Sequence, residues 1–255
     1  MSSPKMAGSM AGSMAGSAAG WAASVLAGLV LSAASVSAVA GPGSRPLVIE
    51  LYTSQGCSSC PPADQLLEVL ARRPDVLALG FHVDYWDGPD WRDKFSMKDA
   101  THRQDEAARA LRYSPVGTPE MVVDGRAIIS GVNPEALERA LKLDRPDRQV
   151  QIDRQGNELT VRAGAPVPSE RFDVYLIGYL PQAVTLVRGG ENAKQTLTDV
   201  NIVRYIHKIG RSDAGNEWRL NLDKLPSDAQ CIAVLFQVTP GGAIVGANST
   251  CASRS

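Results

Sequence analysis

The stretch LVIELYTSQGCSSCPPADQLLEVLARRP, residues 47–74, constrains the fold more than any other part of the chain. LVIELYT is a continuous apolar run of the kind buried on both faces of a parallel sheet. Leu66, Leu67, Val69 and Leu70 then recur at helical spacing, with Pro74 as a stop. VLALGFHV, residues 76–83, is a second buried strand. Strand, helix, strand of this length predicts a βαβ unit with Cys57 and Cys60 where the chain enters the helix.

The rest of the chain falls into two patterns. WRDKFSMKDATHRQDEAARALRYS predicts a polar helix, PEMVVDGRAIISG two short strands turning at Asp124-Gly125, and NPEALERALKL a helix with Asn133 as N-cap and Pro134 in its first position. After DRPDRQ, short strand candidates (VQIDRQGNELTVRA, FDVYLIGYL, AVTLVR, NIVRYIHKIG, EWRLNL, CIAVLFQV, AIVGA) alternate with Gly, Pro, Asn and Asp turns. The predicted architecture is an α/β domain over residues 41–147, a mixed sheet flanked by helices, followed by an antiparallel β-sandwich-like domain over residues 148–255.

Residues 1–40 stand apart. A small-residue run, MAGSMAGSMAGSAAG, leads into WAASVLAGLVLSAASVSAVA, an apolar segment closing on Ala38, Val39 and Ala40. That arrangement predicts a cleaved secretory signal peptide, although Lys5 is the only positive charge before the apolar segment. A transmembrane anchor is the competing reading, against which stand the diluting Gly, Ala and Ser residues and the lack of a basic stop. The expected location is periplasmic or extracellular, with no membrane contact after cleavage. The charge balance of 26 basic to 27 acidic residues gives no basis for a nucleic-acid partner.

Export bears on the cysteines, because thiols outside the cytosol tend to end as disulfides. With a helix beginning at about residues 57–59, Cys57 sits among unsatisfied backbone N–H groups at the positive end of the helix dipole, which stabilise a thiolate. Cys57 is then the attacking sulfur and Cys60 the shielded, resolving one. Pro61 and Pro62 are compatible with early helical positions, which need no N–H donor. A metal site and a static disulfide are the other readings. Three scattered histidines, His82, His102 and His207, supply no compact ligand set.

Other residues join this site by position. Thr118-Pro119 precedes the hairpin, where a cis proline would set backbone groups against the cysteines to hold an extended substrate; a trans turn proline is the alternative. Glu50, inside an apolar strand, has two readings: a buried acid of raised pKa that relays the proton of Cys60, or an acid paired with a buried base. The end of the second strand should reach the same sheet edge, making Tyr85 and Trp86 substrate-wall candidates, with His82 and Asp84 behind them. For His82 a satisfied core histidine is the stronger reading, and the two tryptophans, Trp86 and Trp91, are also suited to covering the core.

At these residues the chain resembles the thioredoxin-like superfamily: strand, CxxC at a helix start, then Thr-Pro before the closing hairpin and helix. More narrowly, ELYTSQGCSSCPPADQLL, HVDYWD, TPEMVVDGR and GENAKQTLTDVNIVR resemble a family of exported bacterial proteins of unknown function, over nearly the whole chain after residue 40. The resemblance implies a thioredoxin fold with an appended β domain, a redox pair at Cys57 and Cys60, and a cis proline at Pro119. Thr118 is similar to the residue that periplasmic disulfide isomerases and reductases place there. Departures are Gly56 where thioredoxin has an aromatic residue, Ser58-Ser59 where it has Gly-Pro, Glu50 one residue further from the first cysteine than thioredoxin's buried acid, and Lys194-Gln195 where the narrower family is expected to have Gly and Arg.

In the second half, CIAVLFQVTPGGAIVGANSTC predicts a hairpin turning at residues 240–242, in whose register Cys231 faces Cys251. A structural disulfide is expected there, with two buried thiols as the alternative and a bulge at Gly242 able to shift the count. RGGENAKQ is either a loop over the site or a solvated turn, and the turn is favoured.

The function expected is an exported thiol–disulfide oxidoreductase, with no resident cofactor and no metal. Its partners would be a disulfide-containing protein or small thiol and a redox partner that resets the pair. A carrier or sensor of a soft metal such as copper, using the same thiols with His82, and a non-catalytic binding module with a fixed disulfide are the alternatives.

Overall fold

A computed structural model describes residues 45–143, 146, 148–164, 171–224, 226 and 228–251. The expected signal peptide, residues 1–40, lies outside the described residues, as does part of the expected boundary near residues 144–148. No helix among the described residues is long and apolar enough to cross a membrane.

Strand β1 (Leu47–Thr53), helix α1 (Pro61–Ala71) and strand β2 (Val76–His82) form the predicted βαβ unit, β1 and β2 parallel with Thr53 beside His82. Alternation splits their side chains between two cores. Ile49, Leu51 and Ala78 pack with Ala63, Leu67 and Leu70 of α1, whereas Val48, Tyr52 and Phe81 face the opposite side. Burying Leu67 and Leu70 contributes about 2 kcal/mol each.

Helix α2 (Lys98–Leu111) covers that second side with Ala100 and Ala107. It starts later than the helical pattern suggests, because residues 91–97 wrap over the sheet end, where Asp93 accepts hydrogen bonds from the Gln55 and Phe95 amides. Strands β3 (Glu120–Val123) and β4 (Ala127–Ser130) form a hairpin whose Asp124 and Gly125 both have positive φ, 51° and 61°. Two such residues suit the tight turn that matches strand twist. The Asp124 carboxylate accepts from the Val48 amide at 2.9 Å and from Arg45 at 2.9 and 2.8 Å. Helix α3 (Pro134–Leu141) follows, with Asn133 accepting from the Ala136 amide.

The second half supplies β5 (Val150–Gln155), β6 (Glu158–Ala163), β7 (Phe172–Leu186), β8 (Thr196–Arg211), β9 (Glu217–Asn221), β10 (Cys231–Val238) and β11 (Ile244–Cys251). Among the described residues, one eight-stranded mixed sheet has the order β11-β10-β7-β8-β2-β1-β3-β4, and β5-β6-β9 form a separate antiparallel sheet. The small sheet packs Leu159, Val161 and Trp218 against Val174, Leu176 and Phe236, the sandwich-like layer of the fold. The α/β thioredoxin-like part and the β part thus have the expected character.

Two expected strands, FDVYLIGYL and AVTLVR, are one: β7 continues through Pro181. Its pairing with β10 ends at Tyr179, so the proline's missing N–H falls where that edge is unpaired. The long β7–β8 hairpin therefore runs past the sheet. β8 joins β2 in parallel at Gly80, where a Cβ would stand 3.2 Å from the Val200 carbonyl oxygen. Its tip reaches the head of α1.

Candidate functional site

Cys57 and Cys60 form a disulfide, both fully buried, with exposed Ser58 and Ser59 between them. The helix begins later than the spacing suggests. Cys60 is the N-cap of α1, accepting from the Ala63 and Asp64 amides at 2.8 and 3.1 Å, and Cys57 lies in the preceding turn, its amide donating to the Ser54 carbonyl at 3.1 Å. The double proline is the reason, since Pro61 and Pro62 have no N–H to continue the helix backward.

Thr118-Pro119 is a cis peptide, and the Thr118 carbonyl oxygen lies 3.7 Å from Cys57 Sγ. Because β3 pairs antiparallel with β1, with Glu120 opposite Tyr52, the residues before Glu120 arrive where β1 leads into the cysteine loop. Trp86 Nε1 donates to Thr118 Oγ1 at 2.7 Å, and a Cβ on Gly56 would be 3.3 Å from the Trp86 Cβ. Gly56, where thioredoxin carries an aromatic side chain, leaves that space to Trp86. Tyr85 donates to Gln104 Oε1 at 3.1 Å, and Gln104 Nε2 donates to the Gly117 carbonyl at 2.8 Å. Asp84 turns toward α2, accepting from the Thr101 hydroxyl at 2.6 Å.

Behind the cysteines lies a buried polar cluster. His82 Nδ1 is 2.7 Å from Asp93 Oδ2, and its Nε2 is 3.9 Å from Asp199 Oδ1. Gln55 joins two of the acids, its amide donating to Asp93 at 2.9 Å and its Nε2 to Asp199 at 2.7 Å. Asp64, one turn into α1, accepts from the Thr53 hydroxyl at 2.8 Å. Burial opposes the charge on His82, but Asp93, Asp199 and Asp64 outweigh it and raise the imidazole to about 9. Burial pushes Asp64 up to about 7 against the pull of His82, and raises Asp199 as well. For Asp93, burial is overcome by the His82 contact, which holds its carboxyl below the usual range.

Glu50 is the acid paired with a buried base. Its side chain points to the α2 face, where Arg103 Nη2 and Nε donate to Oε1 at 2.5 and 3.1 Å and the Tyr52 hydroxyl donates to Oε2 at 3.0 Å. Cys60 and its helix occupy the other face, so the proton-relay reading of Glu50 does not fit this arrangement; alternation along a strand cannot say which face carries the cysteines.

The solvated-turn reading of RGGENAKQ is corrected. The hairpin tip docks on the cysteine loop: Asn192 is wholly buried, its Nδ2 donating to the Gln55 and Cys57 carbonyls at 3.1 and 2.8 Å. Glu191 Oε2 accepts from the Ser58 amide at 3.1 Å and the Ser58 hydroxyl at 2.6 Å. Gly189 has no room for a side chain, because a Cβ would come 1.9 Å from the Asp90 carbonyl oxygen. Lys194, where the narrower family was expected to have glycine, has φ 71°, a backbone region that glycine adopts freely.

Cys231 and Cys251 stand opposite each other at the far end of the β10–β11 hairpin and are joined by a disulfide. Nearer the turn Gln237 pairs with Ile244, one residue out of the register in which Phe236 pairs with Gly246, so an irregularity separates the turn from the cysteines.

Sequence reading passed over Gln55, Asp64, Asp93, Glu191, Asn192 and Asp199. Three of them lie in GENAKQTLTDVNIVR, a stretch quoted for its resemblance but given no chemical role. Its polar residues inside a strand pattern were the available signal.

The comparisons fit this picture. Among solved structures, protein AGR_C_4864 from Agrobacterium tumefaciens is 27% identical with a TM-score of 0.73, over 84% of this chain and 97% of that one. HBP35 of Porphyromonas gingivalis is 10% identical with a TM-score of 0.55, over 83% of this chain and 76% of that one, a likeness of fold alone. No curated protein matches. A family model described as "Protein of unknown function (DUF1223)" matches residues 48–237, from β1 to β10 and through the cysteine loop, Thr118-Pro119 and the hairpin tip. The chain therefore belongs to the DUF1223 family.

Proposed function

We propose that this protein is an exported thiol–disulfide oxidoreductase within the thioredoxin-like superfamily, acting on protein or small-molecule disulfides. The observation that carries the reading is the Cys57–Cys60 disulfide at the head of α1, with the Thr118 carbonyl oxygen 3.7 Å from Cys57 Sγ. In the reducing direction, the Cys57 thiolate attacks a substrate disulfide, one substrate sulfur leaves as a thiolate, and a mixed disulfide forms. Cys60, having lost its proton, then attacks Cys57 Sγ. That step expels the second substrate thiolate and closes the Cys57–Cys60 bond. Two electrons pass from the pair to the substrate, and a thiol partner must return them; oxidation of a dithiol is the same sequence reversed.

Pro119 and Thr118 are the substrate platform in this reading, with Trp86 and Tyr85 as partly exposed walls. Asp64, one turn after Cys60 and raised to about 7, replaces Glu50 as the group to take up the Cys60 proton. The signal-like sequence pattern of residues 1–40 and two disulfides support a periplasmic or extracellular location in this reading. The soft-metal reading loses its third ligand, because both ring nitrogens of His82 face carboxylates.

One observation favours a second reading, a binding module with a fixed disulfide: both cysteines are wholly buried, and the hairpin tip is docked on the Cys57 carbonyl. Equilibration against glutathione buffers, with mass-spectrometric trapping of free thiols and a Cys57→Ser control, separates the two. A reversible transition between about −120 and −270 mV supports the oxidoreductase, and a pair still oxidised below about −300 mV replaces it with the binding module.

A further inference from the structure

Anchoring and charge are divided between adjacent residues at the hairpin tip. Asn192 does the anchoring, fully buried on two carbonyls of the cysteine loop. Glu191 is exposed, yet its carboxylate takes both donors of Ser58, the residue after Cys57. A neutral amide oxygen could accept the same two hydrogen bonds, though more weakly; what the glutamate adds is a negative charge on an amide beside the attacking sulfur. We infer that Glu191 tunes the Cys57–Cys60 pair, making the Cys57 thiolate less stable, and the pair more reducing, than the turn before α1 would by itself. This inference deepens the oxidoreductase reading and rests on it.

Most of the charge near the cysteine loop points the same way, against which stands the Ser59 hydroxyl, 3.4 Å from Cys57 Sγ and able to donate to it. Asp64 of α1, Asp93 of the segment before α2 and Asp199 of β8 are the acids packed behind the loop, and His82 of β2 is the cation among them; Glu120 of β3 faces α2 instead, where Gln104 donates to it. The tip also carries Arg188 and Lys194, both exposed. The Thr118 carbonyl adds a further negative dipole end 3.7 Å from Cys57 Sγ. A nearby like charge raises a thiol's pKa, and a less stable thiolate shifts the dithiol–disulfide balance toward the disulfide. Glu191 is therefore a positioning residue that acts through Ser58.

The test is a charge series at one position, Glu191→Gln and Glu191→Lys beside the wild type, read by thiolate absorbance of the reduced protein against pH and by equilibration with glutathione. The Cys57 midpoint should fall from Glu to Gln by about 0.5–1 and further for Lys, a modest effect because the carboxylate is exposed. The dithiol should gain about threefold over the disulfide in Glu191→Gln, which corresponds to about 15 mV. These differences should shrink in high salt, as a charge effect must and a purely structural one need not. Equal midpoints across the series, with Asn192→Ala alone moving them, would overturn the tuning role and leave the oxidoreductase intact. A wild-type pair that stays oxidised throughout the glutathione series would overturn both.

Discussion

The two faces of strands β1 and β2 treat buried charge in opposite ways. On the α2 face the acid of β1 meets a base: Glu50 is held by Arg103, Tyr52 and Gln237 complete the hydrogen bonds, and the neighbouring Glu120 of β3 accepts from the neutral Gln104. On the α1 face three acids, Asp64, Asp93 and Asp199, gather around one imidazole, His82. A balanced pair fixes structure, because its charges have nowhere better to go once buried. An unbalanced cluster keeps protons exchangeable near neutral pH, and here it lies behind the cysteine loop. The difference teaches that a buried acid is read by its partners, not by its burial.

The largest expected effect breaks the balanced face. Arg103→Met should cost about 3–5 kcal/mol by leaving a buried carboxylate alone, while Glu50→Leu/Arg103→Met should lose markedly less. Urea unfolding midpoints decide this, and a double variant as unstable as the single one would mean that Arg103 acts through packing.

Next comes the imidazole. His82 is raised from 6.5 to about 9, so its contribution is fully present below pH 6.5 and is lost as pH rises to 9. His82→Asn should cost about 2–3 kcal/mol at pH 6 and remove the decline in melting temperature between pH 6.5 and 9. An unchanged decline would place its cause elsewhere.

Asp64→Asn should act in the other direction. An acid raised from 3.8 to about 7 favours the folded state while protonated and loses that contribution as pH rises between those values. Removing its charge should therefore stabilise the protein by about 1–2 kcal/mol at pH 8 and leave stability at pH 4 nearly unchanged. A loss of stability at pH 8 would show that Asp64 supports the cluster as a carboxylate. The smallest effect belongs to the exposed pair Glu68–Arg72 on α1, where Glu68→Ala should change stability by no more than about 0.5 kcal/mol. It is the baseline for the other three.

The sequence by itself determined the βαβ unit, the turn at Asp124-Gly125, the helix capped by Asn133 and the placing of two cysteines before a helix. Each follows from spacing, caps or turn residues within a short window, where backbone geometry and side-chain period decide the outcome. Tertiary structure decided which face Glu50 would meet, since Arg103 lies 53 positions away and only the packing of α2 brings it there. It also decided that the tip around Glu191 and Asn192 would close over Cys57, more than 130 positions earlier, because β8 inserts beside β2 at Gly80 and carries the hairpin past the sheet edge. Hydrogen bonds between segments so far apart leave no periodic trace in the chain, and their partners are fixed only when strand order is fixed.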